Sequence, residues 1–294
     1  MPNLKDIRNR IASVKSTRQI TSAMKMVAAA KLRKAQDVII QLRPYANKIR
    51  EVLSNLNNIV DVSEKNIYAQ KREVNNVLIV AITSNKGLCG GFNSNVVKNV
   101  INLVNNKYNE QYRKGNLDIF IFGKKGKELL KFKGYPCTFA ETEIFNELKF
   151  QNTSKFAAGF MENFVAKKYD AIGLVYNQFK NAAVQILTNE QFLPIVPTLP
   201  DEAESMSHLD FIFEPSKEYI VNELIPRSLK IQFYKCFLDS SASEHGARMT
   251  AMHLATDNAT EMIRDLTLQY NKARQAAITR ELIEIVSGAE ALKG

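Results

Sequence analysis

The sequence predicts a Rossmann-like α/β domain inserted between two long helices that pair as an antiparallel coiled coil, and three observations carry that prediction. Both ends of the chain are dense in helix-forming residues, each long run interrupted by one proline. The middle changes to short β-branched and aromatic runs separated by amphipathic stretches, the pattern of alternating strands and helices. Finally, apolar residues near both ends recur at steps of three and four, which puts them on one stripe of a helix. The three parts are read as residues 1–60, 75–213 and 215–294.

The first helix opens after Pro2-Asn3, a cap with Asp6 in the favourable first turn, and no glycine interrupts residues 4–58. Ile7, Ile11 and Val14, followed by Ile20, Met24 and Val27, are read as its buried stripe. Pro44 lacks an N–H and pushes the residue before it out of the helical region, so a kink or boundary is expected near Arg43; Asn55, Asn57 and Asn58 close the segment.

In the middle part Val77–Thr83, Asp118–Phe122 and Ala171–Tyr176 read as strands, with Ala183–Leu187 and Leu209–Phe213 as further candidates. Asn93–Tyr112, Lys124–Lys133 and Ser154–Lys168 read as the helices between them, and such crossovers predict a partly parallel sheet.

After Pro215-Ser216 the composition is that of a second very long helix containing Pro226. Ile263, Leu266, Tyr270, Ala273 and Ala277 form a seam, continued after a one-residue shift by Ile278, Leu282, Ile285, Ala289 and Leu292. At 1.5 Å per residue the two helices run to about 80 and 115 Å, too long to lie on a small domain, so their stripes are expected to bury each other.

Forty Lys and Arg against 30 Asp and Glu give a net charge of +10 and predict an acidic partner: nucleic acid, anionic lipid or acidic protein. The three cysteines, Cys89, Cys137 and Cys236, have no C-x-x-C spacing, which argues for a reducing compartment and against a disulfide framework or zinc site. No uninterrupted apolar run approaches membrane-spanning length, and the polar amino end predicts neither export nor membrane integration.

The segment Ser84-Asn85-Lys86-Gly87-Leu88-Cys89-Gly90-Gly91-Phe92 stands between a strand and a helix, where a phosphate loop would sit. Its spacing fits neither G-x-G-x-x-G nor G-x-x-x-x-G-K-[ST], so a tight turn is expected, with glycine supplying positive φ. His208, His245 and His253 make no metal-binding spacing, and adjacent Ser243, Glu244 and His245 point in different directions on a helix, which argues against a triad. Neither a catalytic residue, a metal nor a cofactor is expected. Lys25, Lys31, Arg33 and Lys34, with Arg248, Arg264, Lys272, Arg274 and Arg280, decorate the long helices and suit a surrounding partner.

Two stretches carry a family resemblance. Ile11-Ala12-Ser13-Val14, Ile20-Thr21 and Met24 through Gln36 look like the amino-terminal helix of rotary ATP synthase gamma subunits. Ile278-Thr279-Arg280-Glu281, Glu284 and Gly288-Ala289-Glu290-Ala291 resemble that family's carboxy-terminal signature, and Ser243 through Met249 and Ala255 through Ala259 fit the same pattern. The resemblance implies the central rotating shaft of a bacterial proton-translocating F-type ATP synthase, non-catalytic itself, which couples ion flow to ATP synthesis in a ring of alpha and beta subunits. It implies further partners in the epsilon subunit and the membrane rotor ring of c subunits, no nucleic acid, and membrane attachment only through the complex, at the cytoplasmic face of the cell inner membrane. By motif position, Met24, Arg248, Arg274, Gln275, Thr279 and Glu281 are the implied coupling contacts, and Leu282, Ile285, Val286 and Leu292 fill an apolar sleeve. Plant plastid members carry an inserted cysteine pair; Asn189–Leu209 has none, so thiol regulation of that type is not expected. A basic coiled-coil adaptor for nucleic acid or membrane, and a nucleotide-binding α/β enzyme using Gly87–Gly91, are the alternatives.

Overall fold

The structure, a computed structural model, describes residues 4–59, 67–70, 72–195 and 217–291. The chain divides into two compact units, residues 1–29 with 248–294, and residues 30–247. Two long helices contribute to both: α1 (Leu4–Ile59) and α6 (Lys217–Ala291).

In the first unit the two helices offer complementary stripes. Ile7, Ile11, Val14, Arg18, Thr21, Lys25 and Ala28 step alternately by four and three along α1, and each is buried or half-buried. On α6, Met252, Thr256, Ala259, Ile263, Leu266, Tyr270, Ala273 and Ala277 do the same. The hydroxyls of Thr21 and Thr256 meet at 2.9 Å. The expected α6 seam is thus present as far as Ala277. The expected α1 seam is correct for Ile7, Ile11 and Val14 but not beyond: Ile20 and Val27 are each 57% exposed, and half-buried Met24 stands one position off the frame kept by Thr21, Lys25 and Ala28. The heptad frame set by Ile7 runs on through polar Arg18, Thr21 and Lys25, which an apolar template passes over. From Ile278 to Ala291 every α6 residue is exposed, so the expected continuation through Ile278, Leu282 and Ile285 is not a seam within this chain. Leu292 lies outside the described residues.

The second unit is built on a five-stranded sheet of β1 (Val77–Ile82), β2 (Leu117–Phe122), β3 (Phe139–Glu141), β4 (Ala171–Phe179) and β5 (Gln185–Leu193). Its order is β3-β2-β1-β4-β5, with β5 antiparallel to β4 and the other pairs parallel. Central β1 is buried on both faces, as its unbroken Val-Leu-Ile-Val-Ala-Ile run requires. Val77, Ile79 and Ala81 face α2 (Phe92–Asn102) and α4 (Lys124–Phe132) through Val96, Val97, Val100 and Leu130. Leu78, Val80 and Ile82 belong to the opposite core, with Phe160 and Phe164 of α5 (Phe150–Val165) and Leu229, Phe233 and Phe237 of α6. The ring of Phe122 lies 4.8 Å from that of Phe237, edge to face, and such pairs add to simple burial.

The three principal strands and their crossovers match the sequence reading, with several differences. α1 is continuous through Pro44 to Ile59, with no boundary at Arg43; the missing N–H removes one bond, while Ile39 and Ile49 on either side are buried and hold the helix. α6 likewise runs through Pro226. The helix expected over Asn93–Tyr112 ends at Asn102, passes through a π turn (Leu103–Lys107), and resumes as α3 (Asn109–Arg113) after non-helical Tyr108. Three-residue β3 is an edge strand that the sequence reading omits. The candidate Ala183–Leu187 becomes β5, displaced toward Leu193, and Leu209–Phe213 falls outside the described residues.

Candidate partner-contact surface

The six residues expected to touch a partner fall into two groups. Arg274, Gln275, Thr279 and Glu281 lie within two turns of α6 and are all exposed. Helical spacing sorts them onto two adjacent stripes: Arg274, Ile278, Glu281 and Ile285 on one, Gln275, Thr279, Leu282 and Val286 on the other. The Thr279 hydroxyl donates to the Gln275 carbonyl at 2.9 Å, so its polar demand is met on its own helix. Polar Arg274 and Gln275 are followed by Ile278, Leu282, Ile283, Ile285 and Val286, which are 49–67% exposed. Ile283 is an addition to the residues expected there. These five side chains gather on one side of the helix, opposite Arg280, Glu281 and Glu284, an exposed apolar stripe of the kind that a partner covers.

Met24 and Arg248 form the other group. Met24 is half-buried on α1, and Arg248 is 9% exposed, so neither is as open as the tip. From Arg248 to Arg274 is about 39 Å of helix, so the six residues do not make one site.

The turn between β1 and α2 sits at the carboxyl end of the sheet, where strand order reverses between β1 and β4 and doubly wound folds hold ligands. Here the chain's own groups occupy it. Asn93, 6% exposed, accepts the Ser84 N–H at 2.9 Å, and its amide donates to Ser84 Oγ at 2.9 Å and Cys89 Sγ at 3.3 Å. Ser84 Oγ donates to the Lys86 carbonyl at 2.8 Å. Asn177 of β4 donates to the Phe92 carbonyl at 3.3 Å, while Ser243 of α6 donates to the Asn177 carbonyl at 3.0 Å. Gly90 has the expected positive φ of 57°, shared by the non-glycine Leu88 at 62°. The turn is therefore a clamp among β1, β4 and α6.

Ser243 and Gly246 explain the local sequence around them: a Cβ on Gly246 would come within 3.1 Å of the Ala182 carbonyl oxygen, so α6 presses on the β4–β5 turn there. His245 is half-buried, His253 pairs at 3.3 Å with Asp257 on the surface, and His208 lies outside the described residues. Among the described residues no cluster of His, Cys, Asp and Glu could hold a metal, and no helix is long and apolar enough to cross a membrane.

Displaced ionisation marks the interior instead of a reactive cleft. Burial, reinforced by Glu190, holds the Cys236 thiol well above its usual range. Tyr176 is pushed far up by burial and by its neighbours Cys236 and Glu190; its hydroxyl donates to Glu190 at 2.8 Å. Gln232 also donates to Glu190, at 2.7 Å. These groups bolt α6 to β4 and β5, with the thiol and the phenol in their neutral forms.

Residues 3–292 match the family model described as ATP synthase. The chain is 56% identical to the ATP synthase gamma chain of Flavobacterium psychrophilum and 55% identical to that of Christiangramia forsetii, each over 294 residues and 100% of both chains. The gamma chain of Chlorobaculum tepidum is 46% identical over 293 residues, again 100% of both. Among solved structures, a chain of the Tetrahymena thermophila mitochondrial ATP synthase central stalk and c-ring is 26% identical, covering 80% of this chain and 99% of that one with a TM-score of 0.59. A chain of the Euglena gracilis mitochondrial ATP synthase, covering 98% of this chain and 94% of that one at 22% identity and a TM-score of 0.67, shares the fold. With that identity sustained over the full length, the chain belongs to the ATP synthase gamma-chain family.

Proposed function

We propose that the chain is the central rotating shaft of a bacterial proton-translocating F-type ATP synthase, a non-catalytic subunit coupling ion flow through the membrane sector to ATP synthesis by its partners. Full-length identity of 55% to a gamma chain supports the role. The observation that carries it is the bare α6 tip: Ile278 through Ala291 are exposed on every side, with an apolar stripe and a charged face that both await a partner.

In this reading an alpha–beta ring encloses the tip, and Arg274, Gln275, Thr279 and Glu281 meet it just below, with Met24 and Arg248 as further coupling contacts. Unlike contacts with each beta subunit favour a different nucleotide state in each, a population shift driven by rotation. Exposed polar contacts are worth about 0–1 kcal/mol apiece, so they can be made and broken as the shaft turns. The inserted α/β domain, within residues 75–213, rests with the epsilon subunit on the c-subunit rotor ring. The chain is thereby held peripherally at the cytoplasmic face of the cell inner membrane.

Reconstitution tests this reading. The full chain mixed with the alpha–beta ring of a close relative is expected to co-elute with it and stimulate its ATPase. A chain that stays unbound, or that co-purifies instead with nucleic acid released by salt, would establish the adaptor reading in its place.

A further inference from the structure

Charge on the second unit is distributed very unevenly. Residues 92–138 hold Lys98, Lys107, Arg113, Lys114, Lys124, Lys125, Lys127, Lys131 and Lys133 against Glu110, Asp118 and Glu128, so these 47 residues carry six of the chain's ten net positive charges. Within that segment two stretches are tied into one corner at the amino ends of the parallel strands. The rings of Tyr112 and Tyr135 lie 5.7 Å apart, and Tyr135 donates to Asn105 Oδ1 at 3.0 Å. Lys107, Arg113 and Lys114, around α3, are thereby held beside Lys131 and Lys133, at the end of α4, and all five are exposed.

Phe132 stands between the last two lysines and is 84% exposed, more than any other large apolar residue among those described. Tyr112 adds a partly exposed ring. Of the nearby carboxylates, Asp118 accepts hydrogen bonds from Tyr169 at 2.7 Å and Thr138 at 2.9 Å, while Glu110 and Glu73, the latter next to Val74 whose carbonyl accepts from Gln111 at 3.0 Å, are exposed acids set against the five cations.

We infer that this corner docks on an anionic phospholipid surface, with Phe132 entering the headgroup layer. Four of its five cations are lysines, compact charges on flexible stems that suit a fluid array of phosphates better than the fixed forks arginine brings to a protein carboxylate. An unsupported aromatic ring flanked by lysines matches the layered polarity of a membrane interface, where the ring is buried and the ammonium groups stay in water. The inference stands on these residues and not on the rotor reading; if both hold, it adds a direct lipid contact to attachment through the assembly.

The chain contains no tryptophan, so Phe132→Trp makes a single reporter on the full-length protein. Its emission is expected to shift to the blue with vesicles containing phosphatidylglycerol and to stay unchanged with pure phosphatidylcholine. Raising salt should reverse the shift. In co-sedimentation of the parent chain with the same vesicles, Lys131→Glu with Lys133→Glu should weaken partitioning by about 25-fold or more, at roughly fivefold per lysine. Lys155→Glu, the same reversal at an exposed position on α5, should have far less effect. Tryptophan emission from the Phe132→Trp variant that is indifferent to anionic vesicles at low salt overturns the inference. So does salt-sensitive binding to polyglutamate without binding to vesicles, which would assign the corner to an acidic protein.

Discussion

Thr21 and Thr256 face each other across the helix pair with their hydroxyl oxygens 2.9 Å apart. Each also reaches a carbonyl on its own helix, Thr21 that of Arg18 at 3.0 Å and Thr256 that of Met252 at 2.7 Å. A hydroxyl has one proton, so one of them bonds across the seam while the other bonds back along its helix. Thr21→Val or Thr256→Val alone removes the bond across the seam, leaving the other hydroxyl only the carbonyl on its own helix, and should cost about 1 kcal/mol in urea unfolding. Making both substitutions together should cost less than the two single losses added, because the one shared bond is already gone in either single variant. A double loss equal to the sum would show that the hydroxyls do not act as a pair.

Gly123 follows β2 with φ of 107°, and a Cβ there would lie 2.6 Å from Thr83 Oγ1 and 2.8 Å from the Thr83 carbonyl. Backbone is in the way, not only a movable side chain. Gly123→Ala should therefore destabilise by roughly 3 kcal/mol, combining overpacking with an unfavourable left-handed residue. Thermal melting of the full chain reads this; an unchanged midpoint would mean that β1 and β2 can part at this end without loss.

Alkaline pH should loosen the bolt between α6 and the sheet. Burial raises the folded-state values of Cys236 and Tyr176, so both favour folding in their neutral forms. Their stability contribution is complete below the unfolded values, about 8.5 for a thiol and 10 for a phenol, and is lost as pH climbs toward the folded ones. Each group can contribute up to about 1.4 kcal/mol per pH unit above its unfolded value. Urea titrations between about pH 7 and 10.5, a window spanning both unfolded values, should show falling stability, with a shallower slope near pH 9 for Cys236→Ala. Equal slopes in the two proteins would remove Cys236 from the account.

Arg274→Leu and Gln275→Leu change exposed residues, and their melting temperatures should match the parent, with stability differences within about 0.5 kcal/mol. In membrane vesicles carrying the assembled enzyme, the ratio of ATP-driven proton transport to hydrolysis should fall, by up to about fivefold for one lost polar contact. Full coupling in both variants would exclude these two positions from torque transfer.

The strands were legible because β1 and β4 are buried on both faces, and only continuous apolar, β-rich runs satisfy that. The seam on α6 was legible for a related reason: Ile263, Leu266 and Tyr270 are large and keep the heptad frame. On α1 the same template failed after Val14. Thr21 and Ala28 face inward while apolar Ile20 and Val27 face out, so hydrophobicity and burial part company where residues serve an outside surface. Short β3, with two of its three residues exposed, left no periodic trace. Four of the six expected contact residues gather on one exposed stretch, but Arg248 is buried, which spacing along a single helix could not foretell.

The bare end of α6 also bears on how the chain survives before assembly. Five Ile, Leu and Val side chains between Ile278 and Val286 are about half or more open to water, and each gains about 1.5–3 kcal/mol when fully covered. Two freshly made copies can satisfy that hunger on each other as readily as on the proper mate. Biogenesis must therefore sheath the tip faster than orphans meet, and an excess of this one polypeptide over its companions ends in aggregates.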